Sequence, residues 1–287
     1  MSSNSTLHKL QSTELTILKE FKRICEKYGF RYFLCAGTLL GAVRHQGFIP
    51  WDDDVDVSMP YDDYIRFLEI GQKELGSKYF LQTSETEKYY DAPFAKIRLT
   101  NSTFLDSKFA KRHINHGIWI DIFPMVYTSD AIIEKQRKKL KLCKAIQMDD
   151  LIASNPRELI KEYGEKTIRI LRAFHKIFPF KVRKKISHKI LKKTCNHYPT
   201  EQYFEVAGST GITCPCILFK DSMQLAFEDD YFSVPKMYKE YLEMRYGDYM
   251  QLPPEDQRVG VHADIIDFDY SYSVLVNRKE RSNELKK

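Results

Sequence analysis

The stretch Ile49-Pro-Trp-Asp-Asp-Asp-Val-Asp-Val57 carries more information about fold and chemistry than any other part of this chain. Its end alternates aspartate with valine, which is typical of a strand with one buried face. Residues i and i+2 of a strand face the same side, so Asp54 and Asp56 should point together while the valines enter the core. Two close carboxylates repel each other, and a divalent cation relieves that repulsion. Because Mg²⁺ and Mn²⁺ prefer carboxylate oxygens, the stretch predicts a cation site.

Two alternatives to this interpretation are a polar edge strand and a loop that binds Ca²⁺. Asp52 lies two residues before Asp54 and so faces the same side of the strand. It could supply a third oxygen ligand or hydrogen-bond to the ligands. The valine alternation and a neighbouring turn that suits phosphate both favour the site on a strand.

That turn is Gly37-Thr38, which follows a predicted strand and opens a predicted helix. Free amides at a helix start bind phosphate well, and glycine lets the backbone approach a ligand closely. A strand–Gly–Thr–helix turn alone is weak evidence, since it is often only a helix cap. Here the Asp54/Asp56 pair follows about sixteen residues later. The combination predicts a phosphate anhydride held between backbone donors and a carboxylate-bound metal.

Length and composition set the broad class of protein. The chain has 287 residues, of which 43% are hydrophobic and 29% charged, so it can build a large core. This composition excludes disordered, collagen-like and disulfide-scaffold proteins. Six cysteines without CxxC or zinc-finger spacing predict free, mostly buried thiols. No apolar run approaches the ~20 residues of a membrane span, and the polar residues 1–10 predict no secretion signal.

Charge is distributed unevenly along the chain. Residues 132–193 carry 19 Lys and Arg against 6 Asp and Glu, a net charge of +13, whereas the whole chain has only +6. This segment has helical apolar spacing. Its charge indicates either solvated helix faces or a surface for an anionic membrane or a polyanionic acceptor. Nucleic acid is disfavoured as a partner, because no DNA- or RNA-binding motif accompanies the charge.

The same spacing rules place the other elements. Predicted helices cover 5–28, a short segment at 37–44, 61–75 and 236–245, with basic helices over 129–196. Predicted strands cover 31–35, 53–58, 79–83, 94–99 and 117–122, the last closed by Pro124, and a hairpin lies around 228–234. Together they predict an α/β (α+β) fold in a single domain, 1–287, with a helical insertion at 129–200.

Several blocks of this sequence resemble the LicD family of the nucleotidyltransferase-fold superfamily. The first runs from Gly37-Thr-Leu-Leu-Gly-Ala-Val-Arg44 to Gly47-Phe-Ile-Pro-Trp-Asp-Asp-Asp-Val-Asp56. Others are Lys96-Ile-Arg98, Asp121-Ile-Phe-Pro124 and Tyr246-Gly-Asp-Tyr-Met, followed by Pro253-Pro254 and Arg258. The resemblance covers roughly 10–262 and implies a nucleotidyltransferase-like mixed sheet flanked by helices.

The resemblance also implies an activity. Bacterial LicD proteins move phosphocholine from CDP-choline to sugars of teichoic acid, lipopolysaccharide or capsule precursors, and CMP leaves. Fukutin-type relatives move ribitol phosphate from CDP-ribitol. By this analogy Asp54, Asp56 and Asp121 would be catalytic and would bind Mg²⁺ (or Mn²⁺), and Asp121 could instead accept the proton of the acceptor hydroxyl. A buried or capping role for Asp121 is the structural alternative.

Further residues are candidates for substrate contacts. Phosphate contacts are expected from Gly37, Thr38, Arg44, Lys96, Arg98 and Arg258. Lys96 and Arg98 share a strand face, so they could reach one anion together. Trp51 and Phe48 flank the acidic run and could stack on cytosine or line a choline pocket, although core packing is the stronger expectation for each.

Together these observations predict a Mg²⁺-dependent phosphocholine transferase at the cytoplasmic face of the membrane, with a glycan or lipid-linked glycan as acceptor. One alternative keeps the chemistry but uses CDP-ribitol or CDP-glycerol. Another is a non-catalytic partner in glycan assembly on the same fold. A nucleotide-adding enzyme acting on RNA is compatible with the site but disfavoured by the family blocks.

Overall fold

A computed structural model describes residues 3–106, 110, 113–147, 160–161, 163–195, 199–207, 211–258 and 260–277. Parts of the predicted insertion, at 148–159, 162 and 196–198, lie outside the described residues. So do both ends of the predicted domain, at 1–2 and 278–287.

Helix and strand alternate as far as residue 82, after which, among the described residues, three further strands precede the next helix. The helices are α1 (Ser3–Tyr28), α2 (Ala36–His45), α3 (Tyr61–Leu75), α4 (Ile133–Gln147), α5 (Glu165–Ile177), α6 (Phe180–Cys195) and α7 (Tyr238–Tyr246). The strands are β1 (Phe33–Leu34), β2 (Asp56–Pro60), β3 (Tyr79–Gln82), β4 (Ala95–Leu99), β5 (Thr103–Leu105), β6 (Trp119–Thr128), β7 (Gln202–Glu205), β8 (Thr213–Pro215), β9 (Ser222–Phe227), β10 (Asp230–Pro235) and β11 (Ile265–Asp267).

The main sheet of the described residues is mixed. Five of its strands lie in the order β1-β2-β6-β4-β3. In addition, β7 pairs with β6, and β8 pairs with β7. β2 and β6 are parallel, whereas the other pairs of this sheet are antiparallel. The hairpin β9–β10 and the pair β5–β11 are separate two-stranded sheets. The α/β class with a mixed sheet is therefore confirmed.

One predicted boundary is wrong. Pro124 does not close the strand that contains Asp121, because β6 continues to Thr128. On one edge β6 pairs with β4 up to Ile122 and with β7 only from Met125 onward. Pro124 lies between these two partners, where β6 needs no N–H donor on that edge, so the missing amide hydrogen is tolerated.

Helix α1 packs against the sheet through a continuous buried stripe. Its buried side chains include Leu10, Gln11, Glu14, Ile17, Leu18, Phe21, Ile24 and Cys25. The apolar spacing of Leu15, Leu18, Phe21, Cys25 and Tyr28 predicts a stripe that is rotated slightly from the observed one, since Leu15 is only half-buried and Tyr28 is exposed. Two polar residues, Gln11 and Glu14, thus face the interior from an otherwise apolar surface.

A buried ion pair fastens the C-terminal helix to the sheet. Glu205 of β7 accepts hydrogen bonds from the Arg245 guanidinium (3.0 Å), the Ser58 hydroxyl (2.8 Å) and the Tyr241 hydroxyl (3.2 Å). Because every oxygen of this buried carboxylate has a partner, the network fixes α7 against β2 and β7.

The basic insertion (129–200) is helical where it is described. α4 packs on α6, and the Arg183 guanidinium donates to the Ile146 carbonyl oxygen at 2.8 Å. On α5, Ile170 is 61% exposed and Ile177 is 70% exposed, among exposed lysines and arginines. The six cysteines are free, and five of them are buried, as predicted.

Candidate active site

The carboxylates come together where β2 lies beside β6. The register pairs Asp56 with Asp121, and the Asp121 amide donates to the Val55 carbonyl oxygen at 2.8 Å. Val55 and Val57 are fully buried, whereas Asp54 and Asp56 keep partial exposure. The predicted alternation of buried valines with partly exposed aspartates is therefore present. Residues 49–56 are called the acid loop below.

Burial and mutual repulsion shape the electrostatics of this cluster. Burial, followed by the charges of Asp121 and Asp53, raises the pKa of Asp54 to about 6. Burial and the charge of Asp54 raise the pKa of Asp56 well above its ordinary value. The pKa of Asp52 rises to about 7 for the same two reasons. Close carboxylates of this kind attract either protons or a cation.

Lys96 supplies one positive charge to the cluster. Its ammonium group donates to Asp121 Oδ1, and it lies 4.4 Å from the centre of the Trp119 ring. Burial lowers the pKa of Lys96 from its ordinary value. Lys96 therefore forms an ion pair with Asp121, and its phosphate contact stays a prediction.

Arg98 has hydrogen-bond partners different from those of Lys96. Register places Lys96 opposite Asp121 but places Arg98 opposite Trp119. The Arg98 guanidinium is buried, stacks 4.7 Å from the Trp119 ring centre, and donates to Gln82 and to the Gly117 carbonyl oxygen. These donors are therefore engaged within the protein, and a phosphate contact of Arg98 stays a prediction.

The glycine turn at Gly37 and Thr38 contacts the acid loop directly, and its phosphate contact stays a prediction. A Cβ atom at Gly37 would lie 2.8 Å from Asp52 Oδ2, so glycine is needed to let that carboxylate approach the start of α2. The Thr38 hydroxyl does not cap the helix but accepts a hydrogen bond from the Asp56 amide at 2.8 Å. Ala36, which precedes them, has a φ of 47°, a strained value for a non-glycine residue.

Two arginines face each other beside this turn. Arg44 donates to the carbonyl oxygens of Tyr249 (3.1 Å) and Gln251 (3.3 Å), and Arg258 donates to that of Pro253 (3.0 Å). Burial, together with the charge of Arg258, lowers the pKa of Arg44 from its ordinary value. Two neighbouring guanidinium groups bonded mainly to neutral carbonyl oxygens form a good setting for a phosphate group.

These arginines open onto a pocket of about 770 Å³ beside the acid loop. Its lining includes Gly37, Arg44, Trp51, Asp52, Tyr246 and Arg258. Of the two flanking aromatic residues, only Trp51 lines this pocket, and the Arg258 guanidinium stacks 5.2 Å from its ring centre. Phe48 is buried against Phe227 and belongs to the core.

Two residues at the acid loop were not among the predicted site residues. Glu14 enters from α1 and is buried among the charges of the loop. A carboxylate on the apolar stripe of a helix is the signal that could have revealed it. His262 lies four residues after Arg258, the end of the last family block. Asp53 accepts the His262 amide at 2.6 Å, and its other oxygen lies 2.7 Å from the ring Nδ1.

The donor set suits a hard divalent cation, although it is not a closed cage. No three His, Cys, Asp or Glu side chains in the described part of the chain already surround one point as metal ligands. Mg²⁺ commonly binds through one or two carboxylates and keeps several waters, so such a cage is not required. The buried carboxylates of the acid loop and the unpartnered Glu14 oxygen are the features that fit a cation.

Comparison with known proteins identifies the family. A family model described as the LicD/FKTN/FKRP nucleotidyltransferase domain matches residues 29–157. The lipopolysaccharide cholinephosphotransferase LicD of Haemophilus influenzae is 32% identical over 267 residues, which are 90% of this chain and 96% of that protein. The chain belongs to the LicD family.

More distant LicD-family relatives match over a shorter region. Human ribitol 5-phosphate transferase FKRP is 30% identical over 103 residues, which are 34% of this chain and 21% of that protein. The mouse protein of the same name is 29% identical over 103 residues. The segment matched by the family model contains Gly37, Arg44 and the three candidate carboxylates, whereas Arg258 and His262 lie beyond it.

Proposed function

We propose that this protein transfers phosphocholine from CDP-choline to a sugar hydroxyl of a cell-surface glycan precursor and releases CMP. The observation that carries the proposal is an acid loop that pairs Asp56 with Asp121 and whose residues Trp51 and Asp52 line a pocket together with two arginines. Carboxylates and guanidinium groups are the components that phosphoryl transfer requires. The choice of phosphocholine follows the LicD relative, which matches nearly the whole chain.

In the proposed mechanism each group has a separate role. Arg44 and Arg258 hold the donor diphosphate, and Trp51 stacks on the cytosine. Asp54 and Asp56, with Asp121 nearby, would hold Mg²⁺ (or Mn²⁺), which when bound neutralises negative charge on the anhydride. Lys96 occupies one oxygen of Asp121 and leaves the other to accept the proton of the sugar hydroxyl.

The bonds that change are then defined. The sugar oxygen bonds to the phosphorus of phosphocholine, the anhydride bond to CMP breaks, and the hydroxyl proton passes to the carboxylate of Asp121. Lys96 keeps Asp121 oriented before this step, because its ammonium group donates to Asp121 Oδ1.

The basic insertion is proposed to hold the protein at the inner face of the membrane, near a lipid-linked acceptor. Its excess of lysine and arginine suits an anionic surface. Among the described residues, none of the helices combines the length and apolar character that crossing a bilayer requires. The proposed contact is therefore peripheral.

The decisive experiment measures CMP release. Purified protein is incubated with Mg²⁺ and with CDP-choline, CDP-ribitol, CDP-glycerol or CDP-ethanolamine in turn, with and without membrane extract. We expect release from CDP-choline in the presence of extract. Asp54→Asn should abolish it, while Asp62→Asn, an exposed aspartate at the start of α3, should not.

Other outcomes would change the proposal in defined ways. Release from CDP-ribitol alone would favour the activity named for FKRP, whose match covers 103 residues. If no donor is turned over, and no CDP compound with Mg²⁺ shifts the melting temperature, the non-catalytic role in glycan assembly replaces the proposal.

A further inference from the structure

Glu14 is a buried carboxyl group on the inner stripe of α1. Only 2% of the residue is exposed. Among the described residues, its Oε2 atom has no hydrogen-bond partner. A buried carboxyl oxygen without a partner is energetically costly, so a fold that keeps one at this position must compensate it in some other way.

The surroundings of Glu14 supply further negative charge. Burial, and then the charges of Asp54, Asp53, Asp52 and Asp121 in turn, raise its pKa well above the ordinary value. Lys96, the ammonium group that faces this cluster from β4, is already bonded to Asp121. His262, which also faces this loop, is bonded to Asp53. A bound cation or a proton is the compensation that remains.

The position of α1 is fixed relative to the acid loop. One helical turn before Glu14, the Gln11 amide donates to the Asp52 carbonyl oxygen at 2.9 Å and to the Ile49 carbonyl oxygen at 3.4 Å. Since Gln11 and Glu14 are three residues apart, they share a helix face. The helix face that bonds to the acid loop through Gln11 is therefore also the face that carries the Glu14 carboxyl group.

We propose that Glu14 is a positioning residue of the cation site, where its unpartnered oxygen accepts a hydrogen bond from a water bound to the divalent cation held by Asp54 and Asp56. A role through water agrees with the absence, in the described part of the chain, of a ready three-residue ligand cage. It also agrees with the tendency of Mg²⁺ to keep its waters. The inference rests on the cation site of the proposed function.

The test measures cation affinity directly. Mn²⁺ is titrated into the full-length protein and the free ion is followed by electron paramagnetic resonance. Glu14→Gln keeps the shape and removes the charge, and we expect it to bind Mn²⁺ roughly 10- to 100-fold more weakly, as for other residues that orient metal ligands. Glu26→Gln, an exposed change on the same helix, should bind like the wild type.

Thermal melting separates this role from a structural one. In EDTA, Glu14→Gln should melt at the same temperature as the wild type or higher, because an uncompensated buried carboxyl group is removed. With Mn²⁺ the wild type should gain more stability than the variant. Unchanged Mn²⁺ affinity in Glu14→Gln would overturn the proposal. If Glu14→Gln does not fold, Glu14→Leu is measured instead, and failure of both to fold assigns Glu14 a structural role.

Failure of this inference and failure of the proposed function give different results. Mn²⁺ binding that depends on Glu14, without CMP release from any donor, retains the cation site and rejects the activity. CMP release with Mn²⁺ binding that is insensitive to Glu14 retains the activity and rejects the role of Glu14.

Discussion

The acid loop and the basic insertion both concentrate charge of one sign, but they hold it in different ways. In the acid loop, Asp53 bonds to both the backbone and the ring of His262, and the Asp56 amide bonds to Thr38. In the insertion most lysines are exposed, and α5 leaves Ile170 and Ile177 open to solvent. The comparison teaches that buried charge is fixed by specific backbone and side-chain partners, whereas the surface charge depends mainly on composition.

The largest expected difference between the two regions concerns activity. Asp54→Asn should lower CMP release by about a thousandfold, because it removes a carboxylate that stabilises the reacting anhydride. Circular dichroism and melting should show an intact fold. The same release assay on Lys185→Gln, in the insertion, should stay close to the wild-type rate. Near-normal turnover in Asp54→Asn would contradict the assignment.

The next largest difference is expected in how much an ion pair of each region contributes to the stability of the fold. Glu205→Gln leaves the half-buried Arg245 guanidinium without its carboxylate, and we expect a loss of about 3 kcal/mol in the free energy of unfolding. The matched change in the insertion is Glu134→Gln, which breaks an exposed pair with Arg137 and should cost less than about 0.5 kcal/mol. Urea titration measures both. Equal losses of unfolding free energy would mean that the ion pair in the insertion stabilises the fold as much as the one between β7 and α7.

Donor binding should show a smaller effect. Arg44→Gln removes one of the two guanidinium groups at the pocket, so the KM for the CDP donor should rise about 10-fold or more. Arg169→Gln, on the exposed face of α5, makes the same chemical change and should leave the KM unaltered. Initial-rate kinetics over a range of donor concentrations decide between these outcomes. A changed KM in Arg169→Gln alone would shift the donor site to the insertion.

The acid loop should also make metal-free stability depend on pH. The pKa values of Asp52 and Asp54 are raised to about 7 and about 6, so the folded protein binds protons more tightly than the unfolded chain. Their stabilising contribution is full below about pH 4 and is lost as the pH rises through 6 and 7. In EDTA, the wild type should therefore lose stability relative to Asp52→Asn between pH 5 and pH 8. Parallel melting curves for the two proteins would rule this out.

The smallest effect on the purified enzyme is expected from the insertion itself. Ile170→Ser and Ile177→Ser should leave CMP release and melting almost unchanged, since both side chains are already exposed. Co-sedimentation with vesicles rich in anionic lipid should nevertheless fall, because exposed apolar and basic groups act together at a membrane surface. Binding that is equal for the variants and the wild type would remove the membrane role of α5.

Local patterns predicted the elements that a single segment specifies. The valine–aspartate alternation correctly placed Val55 and Val57 in the core, and the apolar spacing of α1 predicted its buried side with a small rotation. Whether Asp54, Asp56 and Asp121 bind metal stays a prediction. These successes share a cause, since strand and helix periodicity are properties of the local sequence.

Long-range register explains what the sequence did not reveal. Lys96 and Arg98 share a face of β4 and both lie over the Trp119 ring. Their hydrogen bonds differ, because Lys96 donates to Asp121 whereas Arg98 donates to Gln82 and to the Gly117 carbonyl oxygen. The continuation of β6 beyond Pro124 likewise depends on which strands lie beside it. Glu14 was overlooked because an acidic residue on a helix is normally exposed, and only the packing of α1 shows that it is buried.

The parallel pairing of β2 with β6 has a consequence for the order in which the chain folds. The hairpins β3–β4 and β9–β10 connect neighbouring segments and can form early, but β2 reaches β6 only after the whole of 61–118 has crossed over. Asp56 and Asp121 therefore remain far apart until this late step. Their repulsion opposes only the final closure of the sheet, and a growing chain carries no assembled acidic cluster until β6 has been made.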